Sequence, residues 1–310
     1  WGVATFNNLD DLSARVQQAY ECACVAHTDE PIELATVPVM TQHVTAKLAH
    51  DFRDVSMATK KALAEGYNRI MLDHNEKIVD TICRYSDSFS RMVFATSEGT
   101  YLEEERPMVG IVCVAVGRDA DNVQQAYETS SNQVGFEGVL GFEERAKVAA
   151  QKAIELLSAE TVVGGEYTVI CNQDLAGVFI HEAFGHLSEA DFVYENPKAR
   201  EMMVLGRRFG KDILNVFDDD IEPGQRGTHP FDDEGVPMKR NYLIKNGILT
   251  GRLHSRETAA KMGELPTGNA RAINYRHAPI VRMTNTARLP KQEWNPPATA
   301  RAGLSPPLSL

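Results

Sequence analysis

The feature that most constrains the fold is a succession of strand-like segments in the first half of the chain, with helical patterns on either side. Residues 77–86, 89–97, 100–104 and 109–116 are rich in β-branched and aromatic side chains, and Ser97-Glu98-Gly99 is a turn signal between two of them. Residues 9–27 read as a helix with apolar positions at Leu12, Val16, Ala19 and Ala23. Residues 44–69 read as a long amphipathic helix with Leu48, Phe52, Val55, Ala58, Ala62 and Leu63 as its stripe, and residues 143–159 as another. Consecutive strands backed by helices predict an α+β fold, antiparallel sheets with packed helices, rather than alternating α/β.

A chain of 310 residues has material for two domains. Gly164-Gly165 marks the expected boundary, giving an N-terminal α+β domain over residues 1–163 and a C-terminal domain over 164–287. In the second part, residues 166–171 read as a strand. Asn172 to Asp174 offer helix caps, and Leu175, Val178, Phe179 and Ala183 form a helical stripe. Residues 211–217 read as a strand, and Asp218-Asp219-Asp220 after it as a solvated turn rather than a metal cluster. Residues 241–245 and 247–253 form a hairpin around Lys245-Asn246-Gly247. A short helix follows over 255–262, and a last strand over 280–284. Pro290, Pro296-Pro297 and Pro306-Pro307 lie among Ala, Arg and Ser, so residues 288–310 read as a disordered or non-native tail.

Bulk properties exclude some functions. A net charge of −11, with no basic stripe, argues against nucleic-acid binding, which needs a surface complementary to phosphate. No apolar run approaches the ~20 residues that span a bilayer, and no signal peptide is visible. Cys22, Cys24, Cys83, Cys113 and Cys171 are odd in number and scattered, the pattern of a reducing compartment, so a cytoplasmic location is expected. Cys22 and Cys24 are not half a metal site, since on a helix they point ~200° apart.

The chemistry concentrates in His181-Glu182-Ala183-Phe184-Gly185-His186, which reads HExxxH. Imidazole is the commonest metal ligand, and a carboxylate beside a metal takes a proton from water in the HExxH proteases. Here the histidines are one residue further apart. At about 100° per residue, a spacing of four leaves side chains ~40° apart around a helix, whereas five leaves them ~140° apart. A straight α-helix therefore cannot aim both imidazoles at one metal. The spacing predicts either an extra-residue bulge or a helix end between Phe184 and Ser188, with Gly185 as the cheapest place for it. The alternative is a structural helix with two incidental histidines.

Several further segments occur in a fixed order: Glu189 and Asp191; Asp218-Asp219; Arg226-Gly227; Asp232-Asp233-Glu234-Gly235; Asn246-Gly247; Pro266-Thr267-Gly268-Asn269; and Arg282-Met283-Thr284-Asn285-Thr286. Together with HExxxH they resemble the TldD/PmbA family of peptidases, on its TldD-type, metal-bearing branch. The resemblance is strong over residues 167–286 and weaker before that. It implies a zinc-dependent peptidase acting on short or unfolded peptides inside an enclosed cavity, with His181 and His186 as zinc ligands and Glu182 as the base. It also implies a homodimer, or a heterodimer with a PmbA-type subunit that lacks HExxxH. The family's third ligand is a cysteine beyond the Met-Thr-Asn-Thr segment, and here no cysteine follows Cys171. With Trp1 in place of an initial Met, the chain is expected to be truncated at both ends, to hold zinc weakly and to have little activity by itself.

Other residues have two readings. Gly268, Asn269 and Arg271 contact substrate backbone or simply make a tight turn. His229, His254 and His277 are substitute ligands or, more simply, surface and core histidines. Glu189 and Asp191 orient an imidazole or lie on a helix surface. The competing function is a catalytically incomplete peptide-binding subunit of a TldD/PmbA-type dimer, holding an extended peptide by strand addition.

Overall fold

The computed structural model describes residues 1–26, 31–219 and 223–288. These fall into two compact units, each assembled from separated stretches of chain. One takes Trp1–Ala35, Cys171–Asp219 and the residues from Met238 onward; the other takes Thr36–Ile170 and the segment up to Pro237. The sequence tail expected from residue 288 lies, beyond Arg288, outside the described residues, as does Asp220. The first helix, α1 (Leu12–Val25), belongs to the first unit.

The second unit is built on one long strand. After β1 (Thr41–Val44) and α2 (Met57–Leu72) come β2 (Ile78–Ala95), β3 (Tyr101–Asp119), β4 (Asn122–Asn132) and α3 (Glu143–Ser158). β3 pairs antiparallel with β2 along one edge. Along its other edge it pairs parallel with β1 and antiparallel with β4. The alternation that defines a half-buried strand is plain in β3, where Val109, Ile111, Cys113 and Ala115 are all fully buried. Against them packs a face of α3 made of Ala146, Ala149, Ala150 and Ala153, together with Tyr67 and Met71 of α2. Tyr67 donates its hydroxyl to the Val139 carbonyl at 2.9 Å, so its polar end is satisfied in the core.

Two readings of the sequence change here. The helix expected over 44–69 begins only at Met57, because the Ser56 side chain accepts from the Thr59 N–H at 3.1 Å and caps it. The stripe residues before the cap still reach the core: Phe52 is buried from a turn, with Leu48 and Val55 against it. The four short strands expected over 77–116 are two long ones. Pro107 lies in the stretch of β3 between the residues paired with β1 and those paired with β4, where a missing N–H is tolerated.

Glu104 sits in β3 almost fully buried. It accepts from Arg106 Nε at 2.6 Å and lies 3.0 Å from His229 Nδ1. Burial alone would raise its pKa, but the hydrogen bond from His229 and the charge of Arg106 outweigh burial and hold it below the ordinary carboxylate value. A depressed pKa means that the unfolded chain binds the proton more readily. The stability this gives is present above the unfolded value of about 4.3 and is lost as pH falls through the folded one. Urea unfolding measured against pH should therefore show a shallower acid limb for Glu104→Gln than for the parent. Identical acid limbs would remove Glu104 from the acid sensitivity.

The first unit contains α4 (Gln173–Ile180), α5 (Ala190–Glu195), α6 (Pro197–Met202), β5 (Val216–Asp219), β6 (Asn241–Lys245), β7 (Ile248–Leu249), α7 (Arg256–Met262), β8 (Ala270–Arg271), β9 (Ile280–Val281) and β10 (Asn285–Arg288). Its sheet runs β10-β5-β6-β7, all antiparallel. Asn246 and Gly247 turn β6 into β7 with φ of 51° and 75°, the left-handed pair that a tight hairpin requires. The core gathers Phe184, Val193, Met203, Val216, Leu243, Ile244, Leu249, Leu253 and Val281. The strand expected over 211–217 is confined to its end, since Leu214 closes a turn onto Lys211.

The strand expected over 166–171 is absent: the segment is exposed and pairs with no strand among the described residues, so β propensity had nothing there to pair with. The stripe of α4 is likewise not core in this chain. Leu175, Val178 and Phe179 are each more than half exposed.

Candidate metal centre

α4 starts where the sequence predicts, with Asn172 Oδ1 accepting from the Leu175 N–H at 2.9 Å. It ends at Ile180, and the chain continues as a π-helical turn over His181–Gly185. The His186 N–H bonds the carbonyl of His181, five residues back instead of four. That extra residue per turn is the bulge, one of the two distortions the spacing allowed. It brings the two imidazoles to a centroid separation of 5.0 Å, nearly edge to face. A short 3₁₀ turn over His186–Ser188 follows, and Ser188 donates its hydroxyl to the Phe184 carbonyl at 2.8 Å to close the segment.

The donor atoms of His181, Glu182 and His186 lie within 4.8 Å of one another. Both imidazoles are half-buried and Glu182 is exposed. His186 is the better anchored. Its Nδ1 lies 3.1 Å from Glu189 Oε1, and Glu189 Oε2 accepts from Arg282 Nη1 at 3.0 Å. The Nε2 faces the other way, 3.9 Å from Glu182 Oε2. A buried carboxylate on one ring nitrogen, with the other turned into a cluster of donors, is the arrangement of metal-binding histidines. Nitrogen ligands of this kind suit zinc, so the residues present fit that metal. Burial raises the pKa of Glu189, and the charges of Arg282 and His186 oppose the rise.

Gly185 has a different use from the one expected. Its backbone is ordinary helix, with φ of −58°. A Cβ there would lie 2.0 Å from the sulfur of Met283, so glycine permits Met283 to pack against the π turn.

Met283 and Arg282 are held in turn by a buried network that the sequence reading missed. Asp218 and Asp219, expected as a solvated turn, are buried in β5. Asp218 accepts from the Thr284 N–H at 3.0 Å, from Thr284 Oγ1 at 2.7 Å, from Thr286 Oγ1 at 2.9 Å and from Asn269 Nδ2 at 2.7 Å. Burial pushes its pKa up, against these hydrogen bonds, which favour the anion. Asp219 pairs with Arg240 Nε at 2.7 Å. The available signal was the run of hydrogen-bonding side chains in Thr284-Asn285-Thr286, which gives a buried acid its donors.

The remaining candidates are dispersed. Asn269 is buried in that network, and its amide also donates to the Arg282 carbonyl at 3.0 Å. Gly268 beside it adopts φ of 81°, a true glycine position, and Arg271 is half-buried, with Nη2 2.9 Å from the sulfur of Met238. His254 is buried between Thr258 and Glu264, and His229 is bonded to Glu104 in the other unit. Cys171 is exposed. Asp191 accepts from the Val281 N–H rather than from an imidazole. Among the described residues, only His181, Glu182 and His186 form a group that could hold a metal.

Fold and site thus define an α+β protein with two histidines and a carboxylate gathered on a π turn. Comparison with known proteins places it more closely. Residues 164–300 match the PmbA/TldA metallopeptidase C-terminal domain, and residues 50–158 match the PmbA/TldA metallopeptidase central domain. The chain belongs to the TldD/PmbA family of metallopeptidases. It is 45% identical over 286 residues to a metalloprotease of Synechocystis, covering 92% of this chain and 62% of that protein. It is 28% identical over 264 residues to a zinc metalloprotease TldD homologue of Saccharolobus solfataricus, covering 84% of this chain and 58% of that one. The chain therefore spans about three-fifths of the length of these relatives. TldE from Thermococcus kodakarensis shares the fold, with a TM-score of 0.73 at 17% identity over 93% of this chain and 65% of that one. No helix among the described residues is long and apolar enough to cross a membrane.

Proposed function

We propose that the chain carries the catalytic part of a zinc-dependent peptidase of the TldD type. The observation that carries the reading is the π turn, which converts a five-residue spacing unable to share a metal into a cluster with its donor atoms within 4.8 Å. His181 and His186 would hold the zinc. When bound, the metal supplies a Lewis acid that polarises a peptide carbonyl and eases deprotonation of water. Glu182 takes the proton of the attacking water on its carboxylate and returns it to the leaving amine nitrogen as the C–N bond breaks. Glu189, held by Arg282, fixes the orientation and tautomer of His186.

The substrate in this reading is a short or unfolded peptide, taken into an enclosed cavity in the cytoplasm. Gly268 and Arg271 approach its backbone, while Asn269 holds their segment in place through Asp218. The assembly is a homodimer or a heterodimer with a PmbA-type subunit, a pairing supported by the fold shared with TldE. The third ligand is the cysteine implied by the family resemblance, and it has no counterpart after Cys171 in these residues.

The test uses the full-length protein. Metal analysis should find about one zinc per chain. Cleavage of an unstructured peptide should stop with chelator and return with added zinc. Peptide binding without hydrolysis at full zinc occupancy would overturn the reading in favour of a non-catalytic peptide-binding subunit.

A further inference from the structure

Two cysteines outside the metal centre face each other across the sheet of the second unit. Cys83 in β2 and Cys113 in β3 are direct partners in the antiparallel register. Direct antiparallel partners have Cα atoms about 4.5–5.5 Å apart, inside the ~4.4–6.8 Å window that a disulfide spans. Their sulfurs are 3.7 Å apart. Closing that gap to the bonded distance of about 2.05 Å asks for side-chain rotation, not backbone movement. The other three cysteines, Cys22, Cys24 and Cys171, are exposed.

We propose that Cys83 and Cys113 form a thiol–disulfide couple, an oxidation site built into the sheet and chemically separate from the peptidase centre. The pair is asymmetric in the way such chemistry requires. Cys83 is half-buried and open to a small oxidant, whereas Cys113 is fully buried and placed to resolve what forms on its neighbour. The hydrogen bond from the Cys113 thiol favours the thiolate of Cys83 and lowers its pKa, while the same contact, with burial, pushes Cys113 up.

The co-reactant is a peroxide. The Cys83 thiolate sulfur attacks one peroxide oxygen, the O–O bond breaks and hydroxide leaves, giving a sulfenic acid. The Cys113 sulfur then attacks the Cys83 sulfur, and the S–O bond breaks. The hydroxyl departs as water with the proton that Cys113 loses. In sum, two thiols lose two electrons and two protons, and hydrogen peroxide becomes two waters. A thiol reductant reverses the bond.

The experiment treats the folded full chain with a few equivalents of hydrogen peroxide, blocks remaining thiols by alkylation and maps tryptic peptides by mass spectrometry. Arg84 and Arg91 lie between the two cysteines, so trypsin separates them unless a disulfide joins them. The expected product is a Cys83–Cys113 peptide pair that dithiothreitol splits. In chain unfolded by urea before oxidation, that pair should lose its dominance to mixed links with Cys22, Cys24 and Cys171. In Cys83→Ser, Cys113 should stay a free thiol that alkylates only after unfolding. The proposal is overturned if peroxide modifies the exposed cysteines and leaves Cys83 and Cys113 as free thiols. It is equally overturned if Cys83 proceeds to sulfinic acid without linking, or if the native and unfolded chains give the same mixture.

Discussion

Replacing Glu182 with glutamine is expected to leave zinc binding intact and to lower peptide hydrolysis by about 10²–10⁴-fold, the usual worth of a positioned general base. The substitution keeps the shape of the side chain and removes only its ability to take a proton. Glu182 is exposed, its side chain 66% accessible, so the fold loses nothing by the change. His186 does not depend on it, because that imidazole is anchored through Glu189. Metal content and turnover of an unstructured peptide, measured on parent and variant of the full-length protein, separate the two roles. Loss of zinc together with activity would make Glu182 a ligand, and unchanged turnover would remove it from the mechanism.

The parts of this molecule legible in the sequence are those fixed by local geometry. A break in the regular helix at the metal motif follows from arithmetic on a five-residue spacing, and the π turn is one of the two forms it allowed. The start of α4 follows from Asn172, and the β6–β7 hairpin from Asn246-Gly247, because each is a backbone requirement met within a few residues. The α+β class followed from strands in succession between helices. The losses came where distant chain decides. Residues 166–171 have strand composition but no strand paired with them among the described residues. The α4 stripe reads as a core face, yet Leu175, Val178 and Phe179 face outward in this chain, since periodicity shows that a face exists and not what covers it. Residues 44–69 kept the periodicity of a helix although helical backbone begins only after the cap at Ser56, because Phe52 reaches the core from a turn.

Asp218 is the sharpest of these cases. An acidic triplet reads as a solvated turn, yet its first member is the hub that ties β5 to β10 and to the Asn269 segment. The donors lie more than fifty positions further along the chain, so no local window contains them. Asp218→Ala is therefore expected to be among the most damaging single changes. It strips acceptors from the Thr284 N–H and hydroxyl, the Thr286 hydroxyl and the Asn269 amide in a buried setting, where an orphaned group costs about 1–3 kcal/mol each. Because some of these groups relax to other partners, a total of roughly 3–5 kcal/mol is expected. The damage should also reach the metal centre. Thr284 follows Met283, which packs on Gly185, and Arg282, which holds Glu189 against His186. Loosening that carboxylate–imidazole contact should weaken zinc by about 10–100-fold, the usual effect of losing a group that orients a ligand. Asp218→Asn keeps the volume and one acceptor oxygen, so it should lie between Ala and the parent in both measurements. Urea unfolding and zinc titration on the three proteins test the chain of contacts. If Asp218→Ala lowers stability but Asp218→Asn and Asp218→Ala both bind zinc like the parent, the network supports the sheet alone, and the link from β5 through Arg282 to His186 carries no strain to the metal.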